Sequence, residues 1–344
     1  MIIGGDKHEV VMNIRHAIEN KTPYKSVETE DPVIDRAVVR KMADDQIQFM
    51  RTRRFHFMNH AVRGVMSLIE LIFSHSTTIE GLDKIKGMGG GVLVAPNHFN
   101  PLENLAVRKT LKKAGWKRPF VVSQALNLGM TGWVGMIFKY FDTIPIIKDH
   151  EFLSTTFPDA LNRVFQGGDA VIIYPEEQMW FNYRRPRPGR HGVYDYAAAL
   201  GVPIISLYTE AIDTGKPERS TKEFDKTHYV VHVLDTLYPD MSLPQAERSK
   251  ALREADDAQK KAFFEEHFHM PIDAPFEVAD IVGWHPERRE DQEERKSGSP
   301  ADASPVDGSE TGASSANRVE ANGSETDGPQ AEKAPAEEAP KDAE

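Results

Sequence analysis

Gly91-Val-Leu-Val-Ala-Pro-Asn97-His98-Phe-Asn100-Pro-Leu-Glu103-Asn104 is the stretch on which the reading of this chain turns. The apolar run Val92 to Ala95 has the length and composition of a buried strand, and it stops at Pro96. Asn97 and His98 then fall on a turn. Pro101 suits the first turn of a helix, where its missing N–H is no loss, and Asn100 is the expected N-cap. A strand, a tight turn and a helix form the repeating unit of α/β proteins, which build their sites at the carboxyl ends of strands. Glu103 lies far enough past His98 to fold back toward it. A carboxylate on one imidazole nitrogen fixes the tautomer and leaves the other nitrogen as a base.

The pattern repeats along the chain. Strands are expected at Gly91–Ala95, Phe120–Val122, Thr143–Ile147, Ala170–Tyr174, Val202–Tyr208 and Tyr229–Val233. Helical spacing is found over Leu102–Ala114, Gly132–Tyr140, Glu151–Gln166 and Tyr194–Leu200, with Gly201 as a helix-ending glycine. The fold class is therefore α/β: a mixed, largely parallel sheet flanked by helices. Residues 1–76 read as N-terminal helical additions, 77–284 as the α/β domain with a polar helix over Leu243–His269, and 285–344 as an acidic, disordered C-terminal tail. That tail carries 7 Lys+Arg against 16 Asp+Glu and almost nothing apolar to bury. Most of the net charge of −11 thus sits in the tail, and the overall acidity argues against a nucleic-acid partner.

There is no cysteine among the 344 residues, which excludes disulfides, a thiolate nucleophile and a zinc–thiolate centre. The first residues lack the basic-then-apolar pattern of a signal peptide, and no apolar run approaches the roughly 20 residues of a spanning helix. The segment from Arg51 to Phe73 has a basic entry followed by a broad apolar side. It reads either as a core helix or as a helix lying on an anionic membrane surface. A peripheral position on the inner, cytoplasmic face of the cell membrane is the expectation.

Four ordered blocks together resemble the glycerophospholipid acyltransferase family, which includes the 1-acylglycerol-3-phosphate acyltransferases. Asn97-His98 with Glu103 resembles its His-x4-Asp motif. Thr143-Ile-Pro-Ile-Ile-Lys148 looks like its second block, Ile172-Ile-Tyr174-Pro175-Glu176 like its third, and Gly201-Val-Pro203-Ile-Ile205 like its fourth. The similarity spans roughly residues 75–235. Three departures stand out. The usual Asp is Glu103. The second block ends in Lys148 where Arg is usual, a point charge in place of a bidentate fork. In the third block Glu177, Gln178 and Met179 replace Gly, Thr and Arg. Arg184, Arg185, Arg187 and Arg190 follow, and Arg184 and Arg185 are the candidate substitutes for the lost arginine.

The resemblance implies transfer of a fatty acyl group to the hydroxyl of a lysophosphatidic acid-like acceptor. The donor would be acyl-CoA or acyl carrier protein, acting as co-substrate with no further cofactor. His98 would be the general base and Glu103 its orienter. Asn97, Lys148, Pro175, Glu176, Arg184 and Arg185 would bind substrate. Backbone N–H groups at the start of the Leu102 helix are candidates for the oxyanion. Acylation of a different lipid or glycan hydroxyl, or lipid binding without chemistry, are the alternatives left open by the departures. No metal is expected: His98, Glu103, Glu176 and Glu177 match no metal-binding spacing. Trp133, Met136, Ile137 and Phe138 are read as core rather than acyl groove.

Overall fold

The alternation Leu93, Ala95 against Val92, Val94 decides the layering. Successive strand residues point to opposite faces, and all four are buried. In the computed structural model, which describes residues 6–29 and 34–289, each face has its own core. Leu93 and Ala95 pack with Phe157, Leu161, Val193, Ala197, Ala43 and Ile47. Val92 and Val94 pack with Phe99, Ala106, Val107 and Leu111. A strand covered on both faces reads as an unbroken apolar run, as this one does.

The elements in chain order are α1 (Lys7–Glu19), α2 (Arg36–Phe49), α3 (Arg53–Phe73), β1 (Thr78–Glu80), β2 (Val92–Ala95), α4 (Glu103–Ala114), β3 (Phe120–Gln124), α5 (Gly132–Tyr140), β4 (Thr143–Ile146), α6 (Phe157–Gln166), β5 (Ala170–Ile172), α7 (Gly192–Leu200), β6 (Ile204–Pro217), β7 (Asp225–Leu237) and α8 (Gln245–Phe268). The seven strands form one sheet in the order β1-β7-β6-β2-β5-β3-β4. Every neighbouring pair is parallel except β6 with β7. The mixed, largely parallel sheet and its flanking helices are as expected. Gly201 does end α7, at φ 66°. At Gly91 a Cβ would collide with the backbone of Phe165, so only glycine lets α6 close onto the start of β2.

Four expectations are corrected. Thr78–Glu80 is a strand that the sequence pattern missed, because a three-residue strand has no periodicity to read. The hairpin β6–β7 runs well beyond the expected strands, to Pro217 in β6 and from Asp225 to Leu237 in β7, through largely polar residues that carry no clear strand pattern. Helix α4 begins at Glu103 rather than Leu102, and its cap position is Leu102. Asn100 still accepts the Leu102 N–H through its side chain, at 3.0 Å. Finally, the folded body does not stop at residue 284: His285 meets Asp213 and Asp225 at 3.0 and 3.1 Å, and Arg288 pairs with Asp225. The remainder of the stretch read as a tail, from residue 290, lies outside the described residues.

The N-terminal helices are built into the body. Val10, Val11, Ile14 and Ala17 of α1 pack against Trp180, Phe181, Tyr183, Phe224, Ile281 and Trp284. Helix α3 buries one line, Phe55, Asn59, Val62, Met66 and Glu70. Its polar members are anchored: Asn59 donates to the Tyr140 carbonyl and Asp142, and Glu70 receives Arg108 at 2.9 Å. The other apolar side is bare, with Phe57, Val65, Leu68, Leu71, Ile72 and Phe73 all exposed. Trp133 and Met136 on α5 are exposed too, which corrects their assignment to the core. Among the described residues no helix is long and apolar enough to cross a membrane.

Candidate active site

Two adjacent parallel strands assemble the site. Val94 pairs with Ile172 and the Ile173 N–H donates to the Val94 carbonyl, so β2 and β5 end side by side. The turn carrying Asn97 and His98 therefore meets the turn carrying Tyr174, Pro175 and Glu176, although they are about 77 positions apart in sequence.

His98 Nδ1 lies 2.6 Å from Glu103 Oε1. Glu103 is fully buried, and its other oxygen accepts the N–H groups of Phe99 and Asn100 at 2.9 and 3.1 Å. Burial raises the Glu103 carboxyl above the usual range, and these two donors oppose the rise. They hold the carboxylate in the orientation that places the shared proton on Nδ1. Nε2 then carries the lone pair, on a ring whose side chain is 21% exposed. Burial also lowers the imidazole to a pKa of about 4, and Arg187 adds to that while Glu176 opposes it. The ring is thus neutral throughout the physiological range. Tyr174 stacks on the ring at 3.9 Å and 21°, and its hydroxyl receives Asn104 at 3.2 Å. Stacking fixes the plane of the ring while Glu103 fixes its rotation.

Beneath the ring is a buried ion pair. Glu176 accepts from Arg187 Nε at 3.1 Å, from the Arg187 backbone N–H at 3.0 Å and from the His98 N–H at 3.3 Å. Arg187 also bonds the carbonyls of Pro23 and Gln178 and lies over Trp180, 4.4 Å from the ring centre. Both oxygens of Glu176 are engaged within the protein, so this carboxylate ties the His98 turn to the Arg187 loop.

Several predicted site residues have other partners. Asn97 is 2% exposed and is clamped to the Thr209 backbone in both directions, at 2.7 and 3.0 Å; it fixes the turn on β6 rather than facing substrate. Arg185 is buried on Asp280 and on the carbonyls of Ile272, Ala274 and Pro275, and Arg184 also reaches Asp280. This removes both as substitutes for the lost arginine, because their donors serve the C-terminal segment. Four backbone N–H groups around the start of α4 are engaged within the protein. The N–H groups of Phe99 and Asn100 go to Glu103, that of Leu102 to the Asn100 side chain and that of Glu103 to the Asn100 carbonyl.

A different arginine, Arg190, follows the third block and shares Glu177 with Lys148. Lys148, with its side chain 80% exposed at the end of β4, lies 3.6 Å from Glu177, and Arg190 Nε lies 3.3 Å from the same carboxylate. Pro175 is buried, and its carbonyl holds the Arg190 N–H at 2.9 Å. Glu177 itself is at φ 60°, the left-handed region that favours glycine, and the resembling family has glycine here. Tyr174 and Arg187 are the residues of this site that the sequence reading underrated. Their signal was only that Tyr174 lies in the third block and Arg187 a few residues after it.

Residues 76–210 match the family model described as Acyltransferase. The matched stretch is similar to that family. The match starts just ahead of β1, ends within β6, and includes His98, Glu103, Lys148, Tyr174, Glu176 and Arg190. The matched stretch is preceded by α1–α3 and followed by the rest of the β6–β7 hairpin and α8. The chain is also similar to the crystal structure of the 1-acyl-sn-glycerophosphate (LPA) acyltransferase PlsC from Thermotoga maritima. That similarity has 11% identity and a TM-score of 0.36, over 73% of this chain and 96% of that one. No curated protein sequence matches.

Proposed function

We propose that this protein is an acyltransferase that moves a fatty acyl group from acyl-CoA or acyl carrier protein to the hydroxyl of a lysophosphatidic acid-like lipid, with His98 as general base. The observation that carries this is the 2.6 Å contact between Nδ1 and Glu103, which leaves Nε2 open. Nε2 takes the proton of the acceptor hydroxyl as its oxygen attacks the thioester carbonyl. The tetrahedral intermediate then collapses, the C–S bond breaks, and the imidazolium returns the proton to the leaving thiolate. Glu103 stabilises the imidazolium in between. No acyl-enzyme forms.

Lys148 and Arg190 support an anionic headgroup on the acceptor. Both are bridged by Glu177, which lowers the net positive charge there. That bridge favours a second reading, in which the acceptor is an uncharged lipid or glycan hydroxyl. The exposed apolar side of α3, on a helix that begins with the exposed Arg53 and Arg54, supports operation as a peripheral protein on an anionic bilayer.

The test is thiol release from palmitoyl-CoA, and from palmitoylated acyl carrier protein, with a panel of phosphorylated and neutral lysolipids. Acceptor-dependent release that falls about 100-fold to 10,000-fold in His98→Ala is the expected result. Undiminished turnover in that variant would overturn His98 as the base. Release only with neutral acceptors would select the second reading, and none with any pair would leave a lipid-binding protein.

A further inference from the structure

A second group of histidines and carboxylates lies away from the acyl-transfer corner. Glu80 on β1, His232 on β7 and Glu210 on β6 form a row across three adjacent strands. Glu80 is the register partner of His232, and Tyr208, two residues before Glu210, is its partner on the other side. The face is the one covered by α8, whose last turn brings in His267. His232 Nε2 is 3.0 Å from Glu210 Oε2, and His267 Nε2 is 3.2 Å from the same oxygen. The ligand-capable atoms of these three residues all lie within 4.8 Å of one another. Phe263 packs against both imidazoles, at 4.6 and 5.2 Å.

The proton count does not close with neutral rings. A neutral imidazole has one N–H, yet His232 has a carboxylate on each nitrogen: Glu80 3.1 Å from Nδ1 and Glu210 3.0 Å from Nε2. With the proton on Nδ1, the Nε2 lone pair faces the Glu210 carboxylate, an arrangement that is completed either by a second ring proton or by a metal cation at Nε2. The charge balance differs at the other such cluster among the described residues, Asp213, Asp225 and His285. There Arg288 sits on both oxygens of Asp225 and supplies the cation.

We propose that Glu210, His232 and His267 are a binding site for a divalent transition metal of the zinc type, with Glu80 orienting His232. Two imidazoles and one carboxylate suit zinc, and a tetrahedron with bonds of about 2.0–2.1 Å has edges of roughly 3.4 Å, close to the 3.0 and 3.2 Å separations from Glu210 to His232 and His267. The carboxylate on the remote nitrogen of a ligating histidine is the usual outer partner of such a site. The sequence could not have revealed it, since its four residues come from three strands and a helix spread over nearly 190 positions. Bound metal would pin the end of α8 to the β6–β7 hairpin, one residue from Thr209, which clamps Asn97.

The experiment uses the untagged full chain, stripped with a chelator and re-equilibrated with zinc sulfate or cobalt chloride. Metal per chain is measured after desalting, and cobalt spectra report the coordination. The expected result is one zinc per chain, four-coordinate cobalt bands, and a higher melting temperature with zinc. All three should be lost in His267→Ala, a half-exposed position whose truncation leaves the core intact. Glu80→Gln should weaken binding about 10-fold to 100-fold. His98→Ala should bind zinc as the wild type does, which separates this site from the acyl-transfer reading. Absence of stoichiometric metal in the wild type, or unchanged binding in His267→Ala, would overturn the proposal.

Discussion

His98, at the end of β2, has a carboxylate on one ring nitrogen; His232, inside β7, has one on each. Both rings are braced by an aromatic neighbour, Tyr174 in one case and Phe263 in the other. The difference lies in what is left open. At His98 the second nitrogen is unblocked, and the partner carboxylate is held by two backbone N–H groups. The histidine can take up a proton and give it back. At His232 the second nitrogen faces an anion that a second histidine also approaches, an arrangement that holds a cation rather than passing one on. Residue type is the same in the two places; the number of opposing charges decides the chemistry.

That comparison can be broken by experiment. The largest effect is expected in its simplest form: His98→Ala should cost about 100-fold to 10,000-fold in turnover, while His267→Ala should stay within about twofold at saturating substrate. Equal losses in the two would merge the regions into one functional unit. Glu103→Gln comes next, at about 10-fold to 100-fold in kcat/KM, because the amide keeps the packing but loses the charge that steadies the imidazolium. A wild-type rate in that variant would contradict the orienting role.

The pH profile sharpens the contrast further. An ordinary histidine titrates near 6.5, but burial lowers His98 to about 4. A lowered pKa keeps the base unprotonated at lower pH, so the acid limb of kcat/KM should fall well below pH 6.5, toward 4. A limb at 6.5 or above would mean a solvated ring. The smallest effect belongs to Lys148→Ala, a side chain 80% exposed. It should raise the acceptor KM by about fivefold, in line with roughly 1 kcal/mol for an exposed ion pair, with kcat unchanged. A loss confined to kcat would contradict a ground-state phosphate contact.

The parts of this molecule legible in the sequence are the local ones. Strand β2 declares itself by four apolar residues between Gly91 and Pro96. His98 and Glu103 meet across a single turn, so their spacing alone suggested the 2.6 Å contact. The alternation of strand and helix was enough for the sheet class, but the short β1 had only Ile79 to mark it. What failed was non-local. Arg184 and Arg185 sit where an arginine was wanted, yet Asp280, about 95 positions later, claims both. Asn97 looked like a site residue because it neighbours His98, and its partner Thr209 is 112 positions away. Charge in a sequence shows what a residue can pair with and is silent on which partner the fold delivers.

The bare side of α3 carries a kinetic consequence. Six large apolar side chains face outward along 21 residues of helix. If that side rests in a lipid surface, enzyme and acceptor meet in two dimensions. The rate would then follow the mole fraction of acceptor within the surface, and diluting the membrane with inert lipid would slow turnover even at constant bulk concentration.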